Sequence, residues 1–263
     1  LAFVAGGYLI AVQWAISEGV TIMIGVLGGM GPLATLDFFS KVISATHAKE
    51  DADHVPILMQ SDPRIAPRPA AILNGGRSPL PELLAGRDRL IAAGAMALAM
   101  PCNTAHFWYP DLLKGCTVPF LSIVDASVNQ LTLLADAGSK IGVIGTRATL
   151  AAQIFDPVLH RAGYTVVLPD EIAMSTLVLP GIERVKAGDA LSAGKLIEKA
   201  VESLLNQGVS AVILACTETP LALDAIQSPL RSQCVDSTAA LAKACVAWWQ
   251  SQKDGTNDQR SGL

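Results

Sequence analysis

The chain has 263 residues, 51% of them hydrophobic and 16% charged, a composition that builds a large core and excludes a disordered chain. The formal net charge is −4 and the sequence pI is about 5.5. With no basic stripe and no polybasic run, neither nucleic acid nor an anionic membrane is an expected partner. An acidic small molecule would need a local cationic pocket.

The segment from Leu1 to Ser17 is apolar and uncharged until Glu18. It lacks a basic n-region and is short for a membrane span. We read residues 1–21 as an extension outside the fold, which begins near Met23, with a cleaved signal or anchor as the lesser alternative. Ile22 to Leu27 then reads as a buried strand ending in Gly28-Gly29-Met30-Gly31-Pro32. Leu33 to Ala48 reads as a helix, Val55 to Gln60 as a strand, and Pro79 to Gly94 as a helix. Ala95 to Met100 is a third strand, closed by Pro101-Cys102-Asn103-Thr104, and Pro119 to Val124 a fourth. Continuous apolar strands separated by helices predict an α/β fold of parallel sheet covered on both faces.

The second half repeats the first. Lys140-Ile141-Gly142-Val143-Ile144-Gly145 matches the first strand, and Val235-Asp236 echoes Val124-Asp125. Gly94 precedes Cys102, and Gly208 precedes Cys216, by the same interval. These landmarks predict two pseudo-symmetric α/β domains around a central cleft: 22–125, joined by a C-terminal helix at 236–250, and 126–235. Residues 251–263 read as a polar tail. Ligands of open parallel sheets bind at the carboxyl ends of strands, so Cys102 and Cys216 are expected on opposite walls of one cleft.

The five cysteines are odd in number and form no CxxC pair, so a disulfide framework or metal site is not expected. Reduced thiols in the cytoplasm are. Cys116, Cys234 and Cys245 read as small buried hydrophobes. Cys102 and Cys216 each precede a helix start, where backbone N–H groups favour a thiolate and can hold a substrate carboxylate. Two such groups suit inversion of a carbon centre, which needs a proton removed from one face and another delivered to the opposite face. A single nucleophilic cysteine with His106 as its base is the alternative. His106 reads better as a packing or capping residue, Asp125 and Asp236 as helix caps, and Trp108, Tyr109, Trp248 and Trp249 as packing groups, possible subunit contacts. Gly29 to Ala34 fits a GxGxxA dinucleotide pattern, but Asp62 is the nearest acid after the second strand and Pro32 removes an N–H from the turn.

Ile24 to Thr35, Pro101 to His106 and Cys216-Thr217-Glu218, taken in order, resemble the aspartate/glutamate racemase family from Met23 to about Trp249. The aspartate and broad-specificity branch is closest, because glutamate racemases usually have histidine where Glu218 stands. The resemblance implies cofactor-independent racemisation of an acidic amino acid by a dimer of two-domain chains, with Cys102 and Cys216 as the catalytic pair. It places Asn103, Thr104 and Thr217 on the α-carboxylate and adds Thr146 and Thr149 as hydroxyl donors. Arg68 and Lys186 would meet the side-chain carboxylate, Met30 would line the site, and Glu218 would orient Cys216 or accept the substrate ammonium. One departure is Pro67-Arg68-Pro69, where the family often has Asp-Arg-Thr; Arg64 is then a candidate to share the work of Arg68. Hydantoin racemases and maleate isomerases of the same superfamily, or a non-catalytic small-molecule binding module, are the alternatives.

Overall fold

The computed structural model describes residues 21–260, with side chains to residue 253; the expectation for 1–20 lies outside the described residues. Among the described residues there are two four-stranded sheets. The first contains β1 (Met23–Gly28), β2 (Ile57–Ser61), β3 (Ala95–Ala99) and β4 (Phe120–Leu121), in the order β2-β1-β3-β4. The second contains β5 (Lys140–Gly145), β6 (Thr165–Val167), β7 (Ala211–Ala215) and β8 (Cys234–Asp236), in the order β6-β5-β7-β8. Every neighbouring pair is parallel. The same strand order in both halves is the structural form of the repeat read from the sequence.

The helices that matter for the site are α1 (Pro32–Ala45), α2 (Arg68–Leu73), α3 (Leu80–Ala92), α4 (Tyr109–Leu113), α5 (Ile123–Leu131), α6 (Arg147–Ala151), α7 (Asp156–Arg161), α8 (Leu179–Lys186), α9 (Ala190–Asn206), α10 (Glu218–Ala225) and α11 (Ser237–Arg260). Matching glycines set the helix-to-sheet approach in each half. A Cβ on Gly25 would lie 3.1 Å from Leu90 Cβ of α3, and one on Gly142 would lie 2.9 Å from Leu204 Cδ1 of α9. Neither crossover helix could rest so close to its sheet over a larger residue.

The two halves share a core. One apolar cluster joins Ile24, Val26 and Phe38 of the first half to Ile141, Val143 and Ile213 of the second, with Leu241, Cys245 and Trp249 of α11. Helix α11 packs on both α1 and α5, and it runs on through 251–260, where a tail was expected. A buried ionic link adds to the seam: Asp236 Oδ2, at the end of β8, accepts from Lys41 Nζ of α1 at 2.8 Å and from Arg231 Nη2 at 2.7 Å.

One expected strand is shorter than read. Residues Pro119 to Val124 yield only Phe120–Leu121 as strand, and Ile123 opens α5. The cause is Ser122, whose hydroxyl accepts from the Asp125 N–H at 3.1 Å and starts the helix. Asp236 does the equivalent work for α11, accepting from the Ala239 N–H at 2.9 Å. Asp236 therefore matches Ser122 in role, and Asp125 is not the cap it was expected to be. Trp108 and Trp249 are buried and Trp248 is half-buried.

Candidate active site

The loop after β1 is built by Thr35. Its hydroxyl accepts from the Gly29 N–H and donates to the Gly31 carbonyl, both at 2.9 Å. Gly29 has φ of +94°, and a Cβ there would stand 2.3 Å from Asp62 N. Only glycine permits this loop to lie against the chain leaving β2. The Gly29 N–H is thus spent internally and Pro32 has none. Asp62 accepts from Arg64 Nε at 3.0 Å. That arrangement does not make a dinucleotide cradle. It also takes Arg64 away from the site, because its side chain is 88% exposed and paired with Asp62.

A cavity of about 630 Å³ opens beside this loop. Met30, Gly31 and Ile65 form part of its wall, and its charged lining groups are Arg68, Lys186 and Glu218. Arg68 begins α2 between Pro67 and Pro69; Nη1 donates to the Ile65 and Ala66 carbonyls, each at 3.2 Å. Its Nε is buried with no protein acceptor. The flanking prolines suit a helix start, where a missing N–H costs nothing, and so hold the guanidinium at the cavity edge. Lys186 ends α8 and is exposed.

Cys102 follows β3 and Cys216 follows β7, the equivalent strand of the other sheet. Both are 5% exposed. Cys216 Sγ donates to Glu218 Oε2 at 3.0 Å, and the Thr217 hydroxyl donates to the same oxygen at 3.2 Å. Burial first, and then the neighbouring carboxylate, push the Cys216 thiol well above its ordinary range, with the Glu218 N–H and then Lys186 opposing. This corrects the expectation that the helix start would favour a thiolate there. Desolvation and a like charge at contact distance outweigh the N–H groups of one helical turn.

Hydrogen bonds also join the two halves next to the cysteines in sequence. Ser237 Oγ donates to the Leu214 carbonyl at 2.8 Å, so its single proton is used. It must therefore accept from Asn103 Nδ2, at 2.9 Å. This fixes the Asn103 amide: its donor faces Ser237, and Oδ1 is buried with no protein donor. Thr104, from the first half, meets Thr149 at 2.8 Å and Thr146 at 3.2 Å, and Thr146 and Thr149 stand 2.9 Å apart. Thr146 is the cap of α6, accepting from the Thr149 N–H.

His106 is structural. Its Nδ1–H donates to the Cys102 carbonyl at 2.9 Å and its Nε2 accepts from the Ile123 N–H at 3.1 Å. Both nitrogens are committed, and burial holds the ring's pKa down to about 4. It cannot serve as base to Cys102 without releasing one of these bonds.

The expected residues thus fall into three connected groups. Met30, Arg68, Lys186 and Glu218 line the cavity; Cys216 and Thr217 join it through Glu218; Thr104, Thr146, Thr149 and Asn103 tie the halves together. Cys102 packs in the same apolar cluster as Met30. Neither sulfur is part of the cavity wall. The two cysteines were expected on opposite walls of one cleft; both are buried, and hydrogen bonds of Asn103 and Thr104 join the two halves beside them in sequence. Sequence reasoning missed Ser237, which lies beyond the motif carried by Val235-Asp236.

The family model described as Asp/Glu/Hydantoin racemase matches residues 27–245. The chain belongs to that family. As a racemase it is an isomerase. It is 30% identical over 231 residues to the broad-specificity amino-acid racemase RacX of Bacillus subtilis (strain 168), covering 86% of this chain and 97% of that one. Its fold matches Picrophilus torridus aspartate racemase with a TM-score of 0.76 at 30% identity, over 87% of this chain and 94% of the other. Glutamate racemase from Francisella tularensis subsp. tularensis SCHU S4, in complex with D-glutamate, matches at TM-score 0.60 and 17% identity over 89% and 82%, a likeness of fold alone. The racemase has no helix, among its described residues, long and apolar enough to cross a membrane.

Proposed function

We propose that the racemase interconverts the L and D forms of an acidic amino acid, aspartate or glutamate, by proton transfer between Cys102 and Cys216 without pyridoxal phosphate. The observation that carries this reading is positional. The two sulfurs end equivalent strands of two sheets with the same strand order, and hydrogen bonds across the seam join the segment after Cys102 to the strand that leads into Cys216. One thiolate removes the α-proton; the opposing thiol delivers its proton to the other face of the carbanion.

The cavity supports the substrate class. Arg68 and Lys186 are its two cations, and together they suit a side-chain carboxylate. The hydroxyls of Thr104, Thr146 and Thr149 are donors for the α-carboxylate as charge moves onto its oxygens, and Thr217 joins them when its proton leaves Glu218. Asn103, with its donor on Ser237, offers Oδ1 as an acceptor suited to the substrate ammonium, whereas the resemblance alone had placed it on the carboxylate. Met30 supplies an apolar wall. Substrate reaches the sulfurs when the threonine contacts part. Each such neutral hydrogen bond is worth only about 1 kcal/mol net, which charged substrate contacts offset.

The test is incubation with L-aspartate and with L-glutamate in D₂O, without pyridoxal phosphate, followed by NMR and chiral chromatography. The D isomer carrying α-deuterium is the expected product. Binding without exchange at the α-carbon contradicts the reading and favours a receptor; fumarate formed from maleate favours the isomerase alternative.

A further inference from the structure

Aspartate and its 2-oxo counterpart carry the same two carboxylates and differ only in the group on the α-carbon. Arg68, Lys186 and the threonine hydroxyls serve the carboxylates, so discrimination between the two molecules falls to whatever meets the amino group. The hydrogen bonds around Ser237 decide what that is.

Ser237 opens α11, is fully buried, and is bonded to the segment of each sulfur. Leu214, whose carbonyl takes its proton at 2.8 Å, stands two residues before Cys216. Asn103, which donates to it at 2.9 Å, directly follows Cys102. The preceding residue is pinned as well: Asp236 receives Lys41 Nζ and Arg231 Nη2 on one oxygen and the Ala239 N–H on the other. Ser237 is therefore held at a fixed start of its helix. Turning the Asn103 amide over would set Oδ1 against Ser237 Oγ. That oxygen would then need the serine proton, and the buried Leu214 carbonyl would lose it. The amide is locked in one sense, with Oδ1 buried and no protein group donating to it.

We propose that Ser237 is a positioning residue that makes the site select an α-ammonium over an α-oxo group: by fixing the Asn103 amide it leaves a bare acceptor, which an ammonium satisfies and a carbonyl oxygen cannot. The proposal rests on the acidic-amino-acid reading, since it needs Asn103 beside the α-carbon. A buried acceptor left unpaired costs more than one neutral hydrogen bond returns, so the lock acts chiefly by rejecting 2-oxo acids. Glu218 is a second acceptor in the cavity wall, but its Oε2 already takes Cys216 Sγ and the Thr217 hydroxyl. Its contribution is common to the wild type and to Ser237 variants.

The experiment compares the full chain with its Ser237→Ala, Ser237→Thr and Ser237→Cys variants. Racemisation of L-aspartate gives kcat and KM, and oxaloacetate, which has no α-proton to exchange, gives Ki as a competitive inhibitor; L-glutamate and 2-oxoglutarate form the second pair. Ser237→Ala frees the amide to turn Nδ2, a donor, toward the oxo group. The ratio of Ki to KM should then fall by roughly fivefold or more, about the worth of one hydrogen bond, with KM moving more than kcat. Ser237→Thr keeps the hydroxyl and should stay near the wild-type ratio. An unchanged ratio in Ser237→Ala overturns the proposal, because a purely structural role weakens amino acid and oxo acid together. If Ser237→Ala fails to fold, Ser237→Cys carries the test: a thiol is a weak donor and a weak acceptor, so the ratio must fall there too, and a wild-type ratio overturns the proposal. Wild-type protein that turns over neither amino acid overturns the acidic-substrate reading itself, a failure distinct from that of Ser237.

Discussion

His106 makes the structure testable through pH, because its ring is buried neutral while locking the Cys102 loop. In the folded chain it titrates at about 4, against an ordinary value of 6.5. Between those values the unfolded chain binds a proton that the folded chain refuses, so stability falls as pH falls. With those two pKa values, the loss relative to neutral pH is about 2 kcal/mol at pH 5 and about 3 kcal/mol at pH 4. His106→Gln removes the titration. It should also cost about 1–3 kcal/mol at pH 7, through the Cys102 carbonyl or Ile123 N–H left without a well-placed partner. The assay is urea unfolding of both proteins across pH 4 to 7. The wild type's advantage should shrink by about 3 kcal/mol over that range, the carboxylate titrations cancelling in the difference. An advantage that stays constant refutes a neutral, doubly bonded His106.

Two further substitutions probe the cavity. Gly29→Ala places a Cβ against the Asp62 backbone at positive φ, and should destabilise the chain by about 1–3 kcal/mol or more in a thermal melt; a wild-type melting temperature would mean the loop is not held as described. Arg68→Met should lower kcat/KM for aspartate by roughly 10- to 150-fold, the worth of a charge-assisted hydrogen bond, with a much smaller effect on a neutral amino acid. Equal losses on both substrates would remove Arg68 from side-chain recognition.

The fold was legible because its determinants are local. Apolar runs bounded by glycine, and helices of ordinary length between them, suffice for a parallel sheet, and the repeated Ile-Gly-Val of β1 and β5 exposed the duplication. Phe120–Leu121 was over-read because apolar periodicity does not distinguish a strand from the buried face of α5; the Ser122 cap was the missed signal. The cavity cations Arg68 and Lys186 were found only through the resemblance, since their meeting depends on the packing of two halves. Composition also cannot show that a helix start fails to favour a thiolate at Cys216. That outcome depends on burial and on which way Glu218 turns, and both are tertiary. Ser237 escaped for the same reason: nothing near it in sequence reveals that its one proton goes to Leu214 and orients Asn103.

The central claim is that two sulfurs serve opposite faces of one carbon. Its most direct test is to replace Cys102 and Cys216 separately by serine and to measure, for each enantiomer of aspartate, both racemisation and loss of α-deuterium to solvent. The account predicts that each variant loses racemisation by roughly 100-fold or more, and that any residual wash-out is confined to one enantiomer, a different one for each variant. Wild-type racemisation in either variant, or wash-out of the same enantiomer by both, would contradict it.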